Sequence, residues 1–403
     1  MRRRYLKRND PLELWYCVQP LVRPLRLLTI AHSYAVALNR RLAREFARAG
    51  HGRWEVTCVA PEFFRGDLRP VTLEREPGEP FELVPTSAHL TRKAHVFFYG
   101  RSLRRLMKRD WDVIHGWEEP YVLAGYQLAR WANPRARYVF WTAQNISKRY
   151  PPPFAQFERR VLARADGWLY CGESVRSALS ARPGYGALPA LPAPLGVDVD
   201  LFTPDRARRV RWLEGLGWSE QGPPVVGYMG RFVEEKGVSL FLRALSGAKV
   251  PFRALFVGGG PLEAEIRSFG ARFPDRVRVV RAKHDEVPGY LNAMDLLCAP
   301  SQTTPRWREQ FGRMLTEAMA SGVPVAGSDS GEIPFVIGDA GVVLPERDVE
   351  AWRGAIAALL GDPERRAELA ERGRARVMER YQWPVVARKQ LEFFSRLLDG
   401  ARA

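Results

Sequence analysis

The chain has 403 residues, 46% of them hydrophobic and 27% charged, with 34 Gly and 31 Pro dispersed along it, which excludes a disordered tail and suits two domains with sizeable cores. No run of about 18 uncharged apolar residues occurs, so a membrane-spanning helix is excluded at this level. The net charge is +17, and residues 1–200 hold 32 Lys/Arg against 19 Asp/Glu while 201–403 hold 30 against 26, so the first half favours anionic partners: nucleic acid, an acidic membrane surface or a phosphorylated substrate.

The terminus MRRRYLKRND has no apolar segment ahead of Asp10 and Glu13 and does not read as a secretory signal; the expected location is the cytoplasm or the inner face of the plasma membrane. Cys17, Cys58, Cys171 and Cys298 are too scattered for a disulfide framework or a zinc site, which leaves reduced, buried thiols. From Leu25, LRLLTIA reads as a buried strand, NRRLAREFARAG as a helix with Leu42, Phe46 and Ala49 on one face, and WEVTCVAP as a second strand. RSLRRLMKR, DVIHGW, PYVLAGYQLARWA, ARYVFWTA, FERRVLARA and GWLYCG continue the alternation of helix and strand. The Pro-rich passage ALPALPAPLGVDVDLFTPD resists helix and central strand, and it sets the expected boundary between a first domain, residues 1–197, and a second, residues 198–384. The second series runs PVVGYMG, VSLFLRALSG, ALFVGGG, PLEAEIRSFGARF, VRVVRA, DLLCAP, FGRMLTEAMASG and VPVAGS, and a helical tail follows from Val349, cut at Trp383 and Pro384. The predicted fold class is α/β, two doubly wound Rossmann-like domains facing a central cleft.

In GYMGRFVEEKG a buried strand ends at Gly230 with Arg231 and Lys236 close behind, two cations suited to a diphosphate. The next strand ends in Gly258, Gly259, Gly260 and Pro261, where missing side chains let a ligand approach the backbone; an ordinary tight turn explains the same glycines. Neither stretch fits GxGxxG or GxxxxGK[ST], which disfavours a nicotinamide or P-loop site. In REQFGRMLTEAMASGVPV, Glu309 and Glu317 flank a helix expected to open near Arg313, whose amides from Arg313 to Leu315 face an anion. One carboxylate before that helix and one inside it suit the vicinal hydroxyls of a sugar and a ribose; the plain alternative is two surface glutamates.

The stretches GVDVDLF, GYMGRFVEEKG, LFVGGGPLEAEI, AMDLLCAPS, EQFGRMLTEAMASGVPV and GEIPFVIGDAGVVL stand in the order and at the separations of the donor domain of glycosyltransferase family 4, which the chain resembles from about Pro194 to its end. The resemblance implies a GT-B fold and a retaining enzyme that moves a sugar from a nucleotide diphosphate sugar to an acceptor, with no metal and no other cofactor. It further implies that Arg231 and Lys236 neutralise the diphosphate, that Glu309 binds sugar hydroxyls and that Glu317 binds those of the ribose. Backbone at Phe311 and Gly312 would touch the sugar, that at Met314 and Leu315 the phosphates, and Arg281 and Ala282 would line the base. The last segment, residues 385–403, is expected to cross back onto the first domain.

The first half departs from the family pattern. After its first strand it has His32 and Ser33 where paired glycines are usual, and after YVFWTA it has Gln144 and Asn145 where relatives carry a histidine. Neither amide serves as a general base. In a same-face reaction the leaving phosphate takes the acceptor proton, and Gln144 or Asn145 orients groups. His32, Ser33, His115 and Gln144 are the acceptor-side candidates, and Asn145 joins Arg231, Lys236 and Glu309 in the candidate catalytic set. The expected acceptor is a glycolipid, a lipid-linked sugar or a surface polysaccharide, suited by its anionic charge to the basic half.

Two DxD pairs, Asp110 with Asp112 and Asp198 with Asp200, read as turns rather than metal ligands, and His51 and His284 rank below His115 as site candidates. RSLRRLMKR reads as a solvated helix with a buried stripe, an anionic bilayer being the rival reading, and no RNP-like or zinc-finger pattern supports nucleic acid. Two other functions share the expected fold: a nucleotide-sugar epimerase, which needs no acceptor, and a non-catalytic sugar-nucleotide or polysaccharide binder.

Overall fold

The computed structural model describes residues 23–66 and 70–400; the terminus MRRRYLKRND and Cys17 lie outside the described residues. Parallel strands covered on both faces require nearly continuous apolar runs, and the two series supply them: Leu27, Leu28 and Ile30 in one, Val225, Val226 and Tyr228 in the other, are all buried. The first sheet comprises β1 (Leu25–Ile30), β2 (Trp54–Pro61), β3 (Glu82–Thr86), β4 (Val113–Gly116), β5 (Arg137–Thr142), β6 (Gly167–Tyr170) and β7 (Ala190–Pro192). Its strands are parallel in the order β7-β6-β5-β4-β1-β2-β3. The second comprises β8 (Val225–Arg231), β9 (Arg253–Gly259), β10 (Val277–Val280), β11 (Leu296–Ala299), β12 (Val325–Ser328) and β13 (Val342–Leu344), parallel in the order β10-β9-β8-β11-β12-β13. Each order reverses once, between β1 and β4 and between β8 and β11, and a doubly wound sheet opens its ligand crevice at the carboxyl ends of those strands.

The Pro-rich passage does hold a strand, β7, but a three-residue one at the sheet edge, where a missing amide donor is tolerated. The chain passes between the sheets twice at one place. Val197 N donates to Tyr381 O at 2.8 Å, and a Cβ on Gly196 would stand 2.2 Å from the Trp383 ring, so only glycine fits. From there the Trp383–Asp399 helix returns to the first sheet, where Phe394 packs 6.0 Å from Phe46 and 5.7 Å from His115, ring to ring. Cys58, Cys171 and Cys298 are buried and free. Among the described residues no helix is long and apolar enough to cross a membrane.

Phe394 is fully buried. Phe394→Ala is expected to cost about 3–5 kcal/mol, read as an earlier midpoint in guanidinium unfolding, because the terminal helix loses its main anchor.

Candidate functional site

Lys236 and Glu309, both singled out in the sequence, meet beyond the carboxyl ends of β8 and β11. Past β8 the chain makes the Glu234–Lys236 turn, and Gly237, at φ +72°, lies so close to Pro300 O that a Cβ would stand 1.7 Å from it. This approach presses Lys236 against the 301–309 loop that follows β11. Lys236 Nζ meets Glu309 Oε2 at 2.5 Å, Ser301 Oγ donates to the same oxygen at 2.9 Å, and the Trp307 ring centroid is 4.8 Å from the ammonium. The lysine and glutamate side chains are 14% and 8% exposed. A cation and a carboxylate removed from bulk water, at the carboxyl ends of the two switch-point strands, have the chemistry to bind phosphate and hydroxyl groups respectively.

The helix after this loop runs Arg313–Ala320, opening where the sequence places it, with Gly312 in the left-handed region at φ +81°. Of the amides expected to face an anion, that of Leu315 donates to Gly312 O at 2.8 Å, while those of Arg313 and Met314 have no partner among the described residues. Glu317, one turn in, is 8% exposed, and burial pushes its pKa up to about 7, with the Arg313 charge working against the rise. It lines a cavity of about 200 Å³ between the sheets, together with Arg313, His284, Ser33 and Trp117. Phe311 turns its ring into the core, 5.8 Å from Tyr381, and Leu315 is fully buried, so neither side chain is open to a ligand; Met314 is half-buried.

Two expected cations stand at the rim. Arg231 is 55% exposed beside Glu235 at 3.7 Å, and Arg281, next to half-buried Ala282, is 78% exposed and bonded to Glu263 at 2.9 Å. Gly258 is explained by packing alone: at φ +149°, a Cβ there would lie 1.9 Å from Gly230 O on the neighbouring strand. At Gly259 a Cβ would stand 3.3 Å from Arg281 Nε.

The first-sheet crevice is organised by two carboxylates that the sequence reading passed over. Glu118, just past β4, accepts from His32 N at 2.7 Å and Tyr99 Oη at 2.5 Å, and lies 2.8 Å from His32 Nδ1. Burial draws the His32 pKa down, but the charge and hydrogen bond of Glu118 outweigh it, leaving the imidazole above its ordinary value. Glu119 accepts from Thr142 Oγ1 at 2.5 Å and Ala143 N at 2.8 Å, and burial lifts it to about 7 against those bonds. Two adjacent acids at a switch-point strand end were the available signal.

His115 must be corrected. It is fully buried within β4, its Nδ1 3.1 Å from Thr29 Oγ1, its ring among Phe46, Trp117 and Phe394, and burial lowers its pKa to about 3. It is a neutral core residue with no exposed surface. Gln144 is buried and braces its own turn, accepting from Ile146 N at 3.1 Å and reaching Tyr121 Oη at 3.4 Å. Asn145 spans the domains: its Nδ2 donates to Glu309 O at 2.8 Å. Of the DxD pairs, Asp198 bonds Arg41 at 3.2 Å and Asp112 bonds Arg23 at 2.7 Å. No cluster suited to a metal occurs among the described residues. In the Arg101–Met107 helix Leu103, Leu106 and Met107 are buried while Arg101, Arg104 and Arg105 face solvent.

Comparison with known proteins gives this geometry a family. The model described as "Glycosyl transferases group 1" matches residues 218–376, and that described as "Glycosyltransferase Family 4" matches residues 35–201. Over 314 residues, 75% of this chain and 80% of the relative, the sequence is 30% identical to the GDP-mannose-dependent alpha-(1-6)-phosphatidylinositol monomannoside mannosyltransferase of Mycolicibacterium smegmatis. The chain belongs to the group 1 glycosyltransferases. A second relative, the D-inositol 3-phosphate glycosyltransferase of Xylanimonas cellulosilytica, is 31% identical over 217 residues, 50% of each chain. Among solved structures, a glycosyltransferase from Rickettsia africae superposes with TM-score 0.73 at 15% identity over 94% of this chain and 99% of that one. The sucrose-phosphate synthase of Thermosynechococcus elongatus gives 0.70 at 21% over 93% and 100%. At such identities the likeness speaks for the fold, and this glycosyltransferase has the GT-B fold.

Glu317 supplies a pH test. Its folded pKa of about 7 exceeds the ordinary 4.5, so between these values the folded state keeps a proton that the unfolded chain has lost, and stability falls as pH rises. Glu317→Gln is expected to flatten part of that decline, measured as unfolding free energy against pH, with no change above about pH 8 in slope.

Proposed function

We propose that this glycosyltransferase moves a mannosyl residue from GDP-mannose to a lipid-linked or inositol-bearing acceptor with retention of configuration. The observation that carries the donor site is the buried contact of Lys236 with Glu309 and Ser301 at the β8/β11 crevice. The choice of GDP-mannose leans on the GDP-mannose dependence of the 30% identical relative. In this reading Lys236 exchanges its carboxylate partner for the diphosphate, Arg231 swings in from the rim, and the free amides of Arg313 and Met314 add dipoles. Glu309, released from the ammonium, takes hydroxyls of the sugar, and Glu317 takes those of the ribose.

As the bond from the anomeric carbon to the β-phosphate oxygen breaks, negative charge grows on that oxygen where these donors are already aimed. The acceptor oxygen bonds to the same face of the carbon and its proton passes to the departing phosphate oxygen. The scheme invokes no metal and no side-chain base. Asn145 neither gives nor takes a proton; it fixes the peptide from which Glu309 projects. The basic first half would hold an acceptor phosphate, or the inner membrane surface that carries it.

The test is a thermal-shift screen with GDP-mannose, UDP-glucose and ADP-glucose, followed by transfer to phosphatidylinositol mannoside. GDP-mannose should give the largest stabilisation, and Lys236→Ala should lower kcat/KM by about 10²-fold or more. Equal shifts with all three sugars, or conversion of the donor without acceptor, would contradict the reading.

A further inference from the structure

We propose that Glu332 is a positioning residue that ties closure of the two domains to the orientation of Glu309; the inference rests on reading Glu309 as the sugar-binding carboxylate. Glu332 stands just ahead of the Ile333–Ile337 helix of the second domain and is 4% exposed. Its carboxylate reaches across the cleft. Oε1 accepts from Glu173 N at 2.9 Å and Oε2 from Ser174 N at 2.8 Å, one oxygen for each of the first two amides of the Glu173–Leu179 helix beyond β6. These are charge-assisted bonds at the positive end of a helix.

The first domain is shaped for that carboxylate. Gly172 precedes the helix, and a Cβ on it would stand 2.0 Å from Glu332 Oε1 and 2.1 Å from its Cδ. Burial raises the pKa of Glu332, with the amide bonds opposing, and no Lys or Arg pairs with it among the described residues. The amides therefore offset its lost hydration only in the closed arrangement.

The same residue holds the active loop by its backbone. Glu332 N donates to Glu309 O at 3.0 Å, the carbonyl that also accepts from Asn145 Nδ2 at 2.8 Å, and Gln310 Nε2 donates to Ala143 O at 3.0 Å. Gly331, at φ +59°, brings the turn so near that a Cβ would be 2.1 Å from Glu309 O. The Glu309 peptide is thus clasped from both domains while its side chain stays with Lys236 and Ser301. Separation of the domains breaks every cross-cleft bond named here and returns the Glu332 carboxylate to water, which rehydrates it. The clasp favours the closed form without locking it, as an enzyme that must release product requires.

Glu332→Gln places an amide group against an N–H donor. It is expected to lower kcat about 10-fold or more and to raise the ratio of GDP-mannose hydrolysis to transfer. Calorimetric affinity for GDP-mannose, whose contacts lie on the second domain, stays unchanged. Gly172→Ala, made on the other domain, should reproduce this pattern, and the double variant should be no worse than the more impaired single one. Unchanged kcat and unchanged partition in both single variants, or losses that multiply in the double, would overturn the proposal. A separate arm needs no turnover: with saturating GDP, small-angle scattering should give a larger radius of gyration for Glu332→Gln than for the parent, and identical curves would also overturn it. Absence of transfer by the parent with every nucleotide sugar would instead count against the proposed function alone.

Discussion

The site depends on one buried ion pair, Lys236 with Glu309, held 2.5 Å apart at the mouth of the second sheet. Such a pair is a poor source of stability, because desolvating both charges costs about as much as their attraction returns. The surroundings are built to hold it nonetheless. A glycine at 237 permits the close turn, Ser301 satisfies the carboxylate, and the Trp307 ring lies over the ammonium. In the proposed reaction the pair is a stand-in for the ligand, each partner holding the other in place until phosphate and sugar hydroxyls replace them.

The two domains contribute unequally. The second offers cations and open amides at the ends of β8 and β11 and at the start of the Arg313–Ala320 helix. The first offers carboxylates used inwardly: Glu118 orients His32, and Glu119 holds the turn that carries Gln144 and Asn145. Besides the packing of the terminal helix, Asn145, Gln310 and Glu332 each reach a backbone carbonyl or amide across the cleft. Bonds of that kind are directional and individually modest, which suits domains that open and close.

Much of this was legible in the chain itself because it is local. The strands LRLLTI and WEVTCVAP begin at the expected residues, and the helix at Arg313 opens where Gly312 breaks the preceding loop. Motif order singles out Lys236 and Glu309, and the two side chains do meet; Glu317, from the same motif, lines a cavity with Arg313 and Ser33. What stayed hidden is set by distance along the chain. Glu118 and Glu332 matter through partners 86 and 159 positions away, and no spacing rule reports such contacts. His115 misled for the opposite reason: a histidine near a strand end resembles a ligand until the terminal helix lays Phe394 against it. β3 and the Arg206–Gly215 helix are not evident in the sequence; the first has a half-buried edge pattern, and the second is half charged, with a single buried leucine.

The most direct test of the central claim is a crystal structure of the protein with a bound GDP-sugar. The account predicts that Lys236 Nζ leaves Glu309 for the diphosphate, that Glu309 meets sugar hydroxyls, and that the amides of Arg313 and Met314 face phosphate oxygens. A nucleotide bound elsewhere, with the Lys236–Glu309 contact intact, would contradict it.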